Sequence, residues 1–158
     1  MQLEGSCHCG AVKFSLVSRT PVPYMRCYCS ICRKTAGSGG YAINIMGEAA
    51  SLKIEGEENI TVYRAKMPGG KTSRGRRSFC KHCGSALWLS DPRWPDGVWP
   101  LASAIDGDLP KPPELVNMML AHAPGWTGAP GGGGKTDFAE YPELSIEDWH
   151  KNRGLLDD

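Results

Sequence analysis

The chain has 158 residues and a formal net charge of +1, from 18 Lys and Arg against 17 Asp and Glu. That length suits one domain, spanning 1–158, with a core of its own. The charge balance excludes the basic face that nucleic acid or an acidic membrane surface would select. The first residues, MQLEGSCHCG, lack the basic-then-apolar pattern of a secretory signal, and no apolar run approaches the roughly 20 residues that cross a bilayer. A cytoplasmic protein with no nucleic-acid and no membrane partner is therefore expected.

Twenty glycines and twelve prolines argue against long helices. After Gly10, AVKFSLVS alternates apolar and polar residues as a half-buried strand does. YAINIM from Tyr41 and ITVYRA from Ile60 read the same way. RRSFCKHCGSALWLS predicts a hairpin whose turn carries Cys80 and Cys83, with Gly84 supplying backbone freedom. GVWPLASAI and LVNMMLAHA are two further strand candidates, although VNMMLA fits a buried helical turn equally well. TGAPGGGGKT is a flexible loop on composition, over 128–136. It resembles a phosphate loop only loosely, because Pro142 interrupts any helix that would follow. In LSIEDWHKNRG, Ser145 is an N-cap with Asp148 three residues on, and Gly154 ends a short C-terminal helix. The class is mainly β, with short helical pieces and no internal repeat.

Seven cysteines fall into three tight groups: Cys7 and Cys9; Cys27, Cys29 and Cys32; Cys80 and Cys83. An odd number in a reducing compartment speaks against a disulfide framework, and the short spacings suit chelation of a metal. Cys7-His8-Cys9-Gly10 and Cys80-Lys81-His82-Cys83-Gly84 read as two halves of one knuckle. Together they offer four thiolates, a closed shell with a structural role. The remaining three allow two readings. In one, Cys27, Cys29 and Cys32 hold a catalytic zinc whose fourth position takes water or substrate. In the other, His8, His82 or His122 completes a structural Cys3His site. Buried free thiols are the plain alternative.

With these motifs in this order, the sequence resembles the glutathione-dependent formaldehyde-activating enzyme (Gfa) family, also called the centromere-protein-V/Gfa family. GSCHCGAVKF, CYCSICRKTAGS and RSFCKHCGSALW carry the likeness over residues 5 to about 90, with a looser match through EYPELSIEDW. The resemblance implies a β-tent of coiled antiparallel sheets and two zinc ions per chain. A structural zinc would sit on Cys7, Cys9, Cys80 and Cys83, and a catalytic zinc on Cys27, Cys29 and Cys32. It implies a carbon–sulfur lyase that joins glutathione to formaldehyde and cleaves the adduct in reverse. Its partners would be a small thiol and an aldehyde. Tyr28 stands where many members have histidine. Two readings from other classes remain beside the enzyme: a zinc-stabilised binding module, and a thiol-based redox or zinc sensor.

Arg33 and Lys34 follow the three-cysteine group directly and suit the carboxylates of glutathione. Ser38 and Gly39 offer close backbone approach to a peptide-like ligand. Tyr28 is a candidate proton donor or acceptor beside the metal. Arg74, Arg76 and Arg77 read more simply as a solvated strand edge. His122 reads as a core histidine, and Trp88, Trp94, Trp99 and Trp126 as core or rim packing.

Overall fold

The computed structural model describes residues 1–131 and 133–155. In chain order, its first strands are β1 (Gln2–Ser6), β2 (Lys13–Val17) and β3 (Tyr24–Cys27), followed by helix α1 (Ser30–Ala36). Four short strands come next: β4 (Ala42–Asn44), β5 (Gly47–Glu48), β6 (Lys53–Glu55) and β7 (Ile60–Tyr63). Then come β8 (Arg76–Cys80), β9 (Ala86–Ser90), β10 (Gly97–Pro100), β11 (Leu115–Met118) and helix α2 (Ile146–Lys151). The fold is mainly β, as expected. Among the described residues no helix is long and apolar enough to cross a membrane.

The strands form three sheets, ordered β1-β2-β6, β5-β10-β9-β8-β7 and β11-β3-β4. Every pairing is antiparallel except β11 with β3, which run parallel. In β2 the alternation visible in the sequence buries Phe14 and Leu16 and leaves Lys13 exposed. Phe14 meets Trp88 of β9 edge to face, with ring centroids 5.1 Å apart, so one aromatic pair joins two sheets. Leu3, Val12, Ile45, Leu87 and Val98 complete the centre of this core, and Cys7, Cys27, Cys32 and Cys80 belong to it. A smaller cluster of Val22, Tyr24 and Trp149 ties α2 to the start of β3.

Helix α2 begins as its sequence predicts. The Ser145 hydroxyl accepts from the Asp148 amide at 3.0 Å, although the Asp148 carboxylate receives the Ser145 hydroxyl instead of the cap amide. Gly154, at φ 61°, turns the chain out of the helix. The segment LVNMMLAHA divides into strand β11 and a 3-10 turn at Leu120–His122. GVWPLASAI likewise divides into β10 and a 3-10 turn at Ala102–Ala104. Of the glycine-rich loop, Gly132 lies outside the described residues. No helix follows Lys135 until α2, so the geometry of a phosphate loop is missing there.

Candidate metal centres

Two hairpin tips from different sheets build the first centre. In the β1–β2 turn, the Cys7 amide donates to Val12 O at 3.0 Å. In the β8–β9 turn, the Cys80 amide donates to Ser85 O at 3.0 Å. Each turn closes with a glycine in the left-handed region, Gly10 at φ 75° and Gly84 at φ 74°, where a side chain would be strained. The tips meet directly: the His8 amide donates to Ser85 Oγ at 3.0 Å. All four sulfurs of Cys7, Cys9, Cys80 and Cys83 then lie within 4.8 Å of one another.

The donor set fits a tetrahedral ion. Zn–S bonds of 2.3 Å place neighbouring sulfurs about 3.8 Å apart, and Cys7–Cys9 and Cys9–Cys80 are already 3.5 and 3.7 Å apart. The electrostatics agree. The Ser85 hydroxyl and amide hold the Cys83 thiol down to about 5. Cys9 is pushed up to about 12, because its bonds with Cys7, Cys80 and Cys83 outweigh the Ala11 amide. The Cys7 thiol is penalised by burial, yet the Val12 amide, Cys9 and Cys80 bring it below its ordinary value. The sulfurs thus share protons across distances that one dication would span.

The second centre is local. Cys27 ends β3, Cys29 caps α1 and Cys32 lies in its first turn. Residues 29, 32, 33 and 36 fall on one helix face, so Cys29 and Cys32 meet and Arg33 stands beside them. The Cys32 amide donates to Cys29 Sγ at 3.3 Å, so a thiolate fills the place usually held by a serine or aspartate oxygen. The three sulfurs are mutually within 4.8 Å. Bonds from Cys27 and Cys32, reinforced by the Cys32 and Ile31 amides, draw the Cys29 thiol down to about 2. Cys27 is driven up by those same sulfur contacts and by burial. Cys32 gains from Cys27, but its bond to Cys29 and its burial carry it upward. This set too fits a zinc ion, through three thiolates.

Among the described residues, no histidine or carboxylate joins Cys27, Cys29 and Cys32 in this group. Each histidine named in the closed reading is placed elsewhere. His8 is exposed at the four-cysteine knuckle, and His82 donates to Asn59 Oδ1 at 2.9 Å. His122 is exposed, not part of the core, and it meets Glu140 at 3.1 Å. Its run is apolar in sequence, but the 3-10 turn faces it outward. Trp94 and Trp126 are also exposed, at 55% and 65%, whereas Trp88 is core.

Around the three cysteines, Arg33 is half-buried and its Nε has no hydrogen-bond partner among the described residues, while Lys34 is exposed. Ser38 and Gly39 lie exposed in the turn that follows α1. Tyr28 is 1% exposed, stacks obliquely on Tyr41, and is held protonated by burial. It is a packed side chain. Two further neighbours are Arg77, which reads in the sequence as a solvated strand edge, and Tyr141. Arg77 shares a cleft of about 10 Å³ with Cys32, Thr35 and Ala36, its charge favours the Cys32 thiolate, and its Nη1 is buried with no hydrogen-bond partner among the described residues. Tyr141, from the far end of the chain, is 71% exposed, yet partial desolvation and then the charges of Cys27, Cys29 and Cys32 raise its phenol above the ordinary value. Arg77 was visible in the basic run; no local signal marked Tyr141.

A mainly β protein with a closed four-sulfur group between sheets and a three-sulfur group at a strand–helix junction defines a cysteine-rich, metal-fitting class. Residues 2–114 match the family described as glutathione-dependent formaldehyde-activating enzyme, and the chain belongs to that family. It is 56% identical over 155 residues, 98% of each chain, to a Halomonas elongata protein named "Putative glutathione-dependent formaldehyde-activating enzyme". Its fold is also similar to the crystal structure of a Rhodobacter sphaeroides protein, with a TM-score of 0.54 and 26% identity, over 68% of this chain and 92% of that one.

Proposed function

We propose that this protein adds a small thiol, glutathione by the family's name, to an aldehyde such as formaldehyde, and cleaves the adduct in reverse as a carbon–sulfur lyase. In this reading Cys27, Cys29 and Cys32 hold a catalytic zinc, and Cys7, Cys9, Cys80 and Cys83 hold a structural one. The observation that carries it is the three-sulfur group, joined by no histidine or carboxylate among the described residues. A zinc bound there through three thiolates would supply a position for a sulfur donor and favour its thiolate form.

The chain's own groups do the rest. In the addition, the thiol sulfur forms a bond to the carbonyl carbon. The carbonyl π pair moves to oxygen, and the thiol proton ends on that oxygen. Tyr141, whose phenol is raised above its ordinary value and so protonated at neutral pH, would relay that proton, giving its own to the developing alkoxide and regaining the one the thiol releases. Arg33 and Arg77 each carry a buried guanidinium nitrogen with no hydrogen-bond partner among the described residues, a donor set suited to carboxylates of the thiol. Lys34, Ser38 and Gly39 form the solvent side of that approach. A reducing, cytoplasmic setting belongs to this reading, since all seven cysteines are free.

The test is Cys29→Ser. Adduct turnover should fall to the uncatalysed rate while one of two zinc equivalents stays bound. X-ray absorption at the zinc edge of the unaltered protein should gain a sulfur when glutathione is added. Unchanged turnover in the variant would remove the enzymatic reading and leave a zinc-stabilised binding module.

A further inference from the structure

Formaldehyde has no carbon tail, yet a large cavity lies beside the three-cysteine group. Its volume is about 250 Å³, and its lining includes Met25, Val116, Phe138, Leu144, Ile146 and Trp149. Strand register fixes its position. Met25 pairs with Val116 and Cys27 with Met118, so with a period of two all four project from one face of the β3–β11 pair. Met25 and Cys27 are therefore about 7 Å apart along the strand. From the other side, Phe138 and Pro142, in the stretch that runs beside and beyond β11, line the cavity.

The wall formed by 135–153 lies beyond residues 2–114, the part matched to the family. Much of this mainly apolar chamber is thus built from residues outside the matched region, which the Halomonas elongata relative also spans. Trp149 fixes one wall: its indole donates to Glu114 Oε1 at 2.8 Å while the ring packs on Val22 and Tyr24. The lining is mainly apolar but also carries Lys135, Thr136, Glu143, Ser145 and Arg153; its apolar part favours an apolar occupant, because burial removes that occupant's surface from water.

We propose that this cavity takes the hydrocarbon tail of an aldehyde larger than formaldehyde, with its carbonyl carbon at the Cys27, Cys29 and Cys32 group. Counting each methylene or aromatic carbon at about the 30 Å³ of a water, the space suits an alkyl or aryl group of about eight carbons. The inference rests on the thiol–aldehyde reading of that group. The bonds made and broken are those already described for addition, and the tail is chemically unchanged.

The test compares S-methylglutathione with S-benzylglutathione, stable thioethers standing for the formaldehyde and aromatic-aldehyde adducts. Each is titrated calorimetrically into the zinc-loaded protein. The benzyl compound should bind at least tenfold tighter. Leu144→Trp, which fills the cavity from a residue 46% exposed and outside the main core, should bring the affinity ratio towards one, with Leu144→Phe between. Equal affinities in the unaltered protein, or a ratio unmoved in both variants, would overturn the proposal. If it fails alone, formaldehyde turnover and S-methylglutathione binding persist. Loss of both in the unaltered protein removes the underlying reading and this inference with it.

Discussion

Exchanging Cys9 for serine separates the two sulfur groups by their effect on stability. Cys9 is exposed, so the substitution removes little packing and, with the proposed structural zinc in place, would read mainly the loss of its tie between two sheets. Cys9 and Cys80 are 71 residues apart. A cross-link closing a loop of that length restrains the unfolded chain by about 4 kcal/mol on the chain-entropy relation. Cys27 and Cys32 are separated by five positions, and the same relation gives about 2 kcal/mol for that short loop. At about 2.1 cal/mol/K per residue, unfolding this chain has an entropy of about 0.33 kcal/mol/K, so the two losses correspond to about 13 °C and about 6 °C in Tm. Thermal denaturation followed by circular dichroism, with zinc content measured on the same samples, checks the contrast between Cys9→Ser and Cys29→Ser. A Cys29→Ser shift as large as that of Cys9→Ser would refute the argument that the four-sulfur group is the structural tie.

Arg77→Met should raise the KM for glutathione at least tenfold with two zinc equivalents retained, read by steady-state kinetics and metal analysis; an unchanged KM would leave Arg77 a charge partner of Cys32 only. Asp91 is buried and accepts from Arg93 through its amide, Nε and Nη2 at 2.9, 3.0 and 2.7 Å, and the guanidinium holds its carboxyl below the ordinary range. With the folded value depressed, its contribution is complete above the unfolded value of about 3.9 and fades as pH falls through the lowered one. Asp91→Asn should therefore cost about 1 kcal/mol at pH 7, discounted for the half-exposed arginine, and almost nothing near pH 2. Ser145→Ala removes the cap of α2 and should lower Tm by about 3 °C for a loss of about 1 kcal/mol.

What the sequence disclosed was whatever short-range pattern controls. Alternation marked β2, β4 and the β8–β9 hairpin, where one face is turned to the core; β7 reads the same way, yet it lies largely exposed at the edge of its sheet. Cysteine spacing divided seven thiols into a group of four and a group of three, and the sulfurs gather in those same sets. Helix α1 escaped because its seven residues give too little periodicity, and because its cap is a thiolate instead of an oxygen. The parallel pairing of β11 with β3 escaped because register across some 90 residues leaves no local trace. Tyr141 feels the charges of the three cysteines because residues 136–140 run beside β11, with the Phe138 amide on Asn117 O at 2.8 Å and the Met119 amide on Glu140 O at 2.9 Å. His122 misled for a related reason. An apolar run is a poor guide to burial when the chain leaves the strand for a 3-10 turn, which presents the imidazole to solvent and to Glu140.

The division of labour between the sulfur groups follows from where the chain places them. Four sulfurs on two hairpin tips bring two sheets to one point, so an ion held there would tie both, and exchange of a ligand would strain contacts between sheets. Three sulfurs on one strand end and one helix turn are held by their own backbone. The strand pairs on both sides, with Cys27 opposite Met118 and Ala42, and the amide of Cys32 already points at Cys29. Exchange of a donor beside that group would therefore leave the contacts between sheets in place, although Cys27 and Cys32 themselves belong to the core. Such indifference is what the proposed turnover requires, and it favours the local group over the cross-sheet one as the place where a thiol would bind.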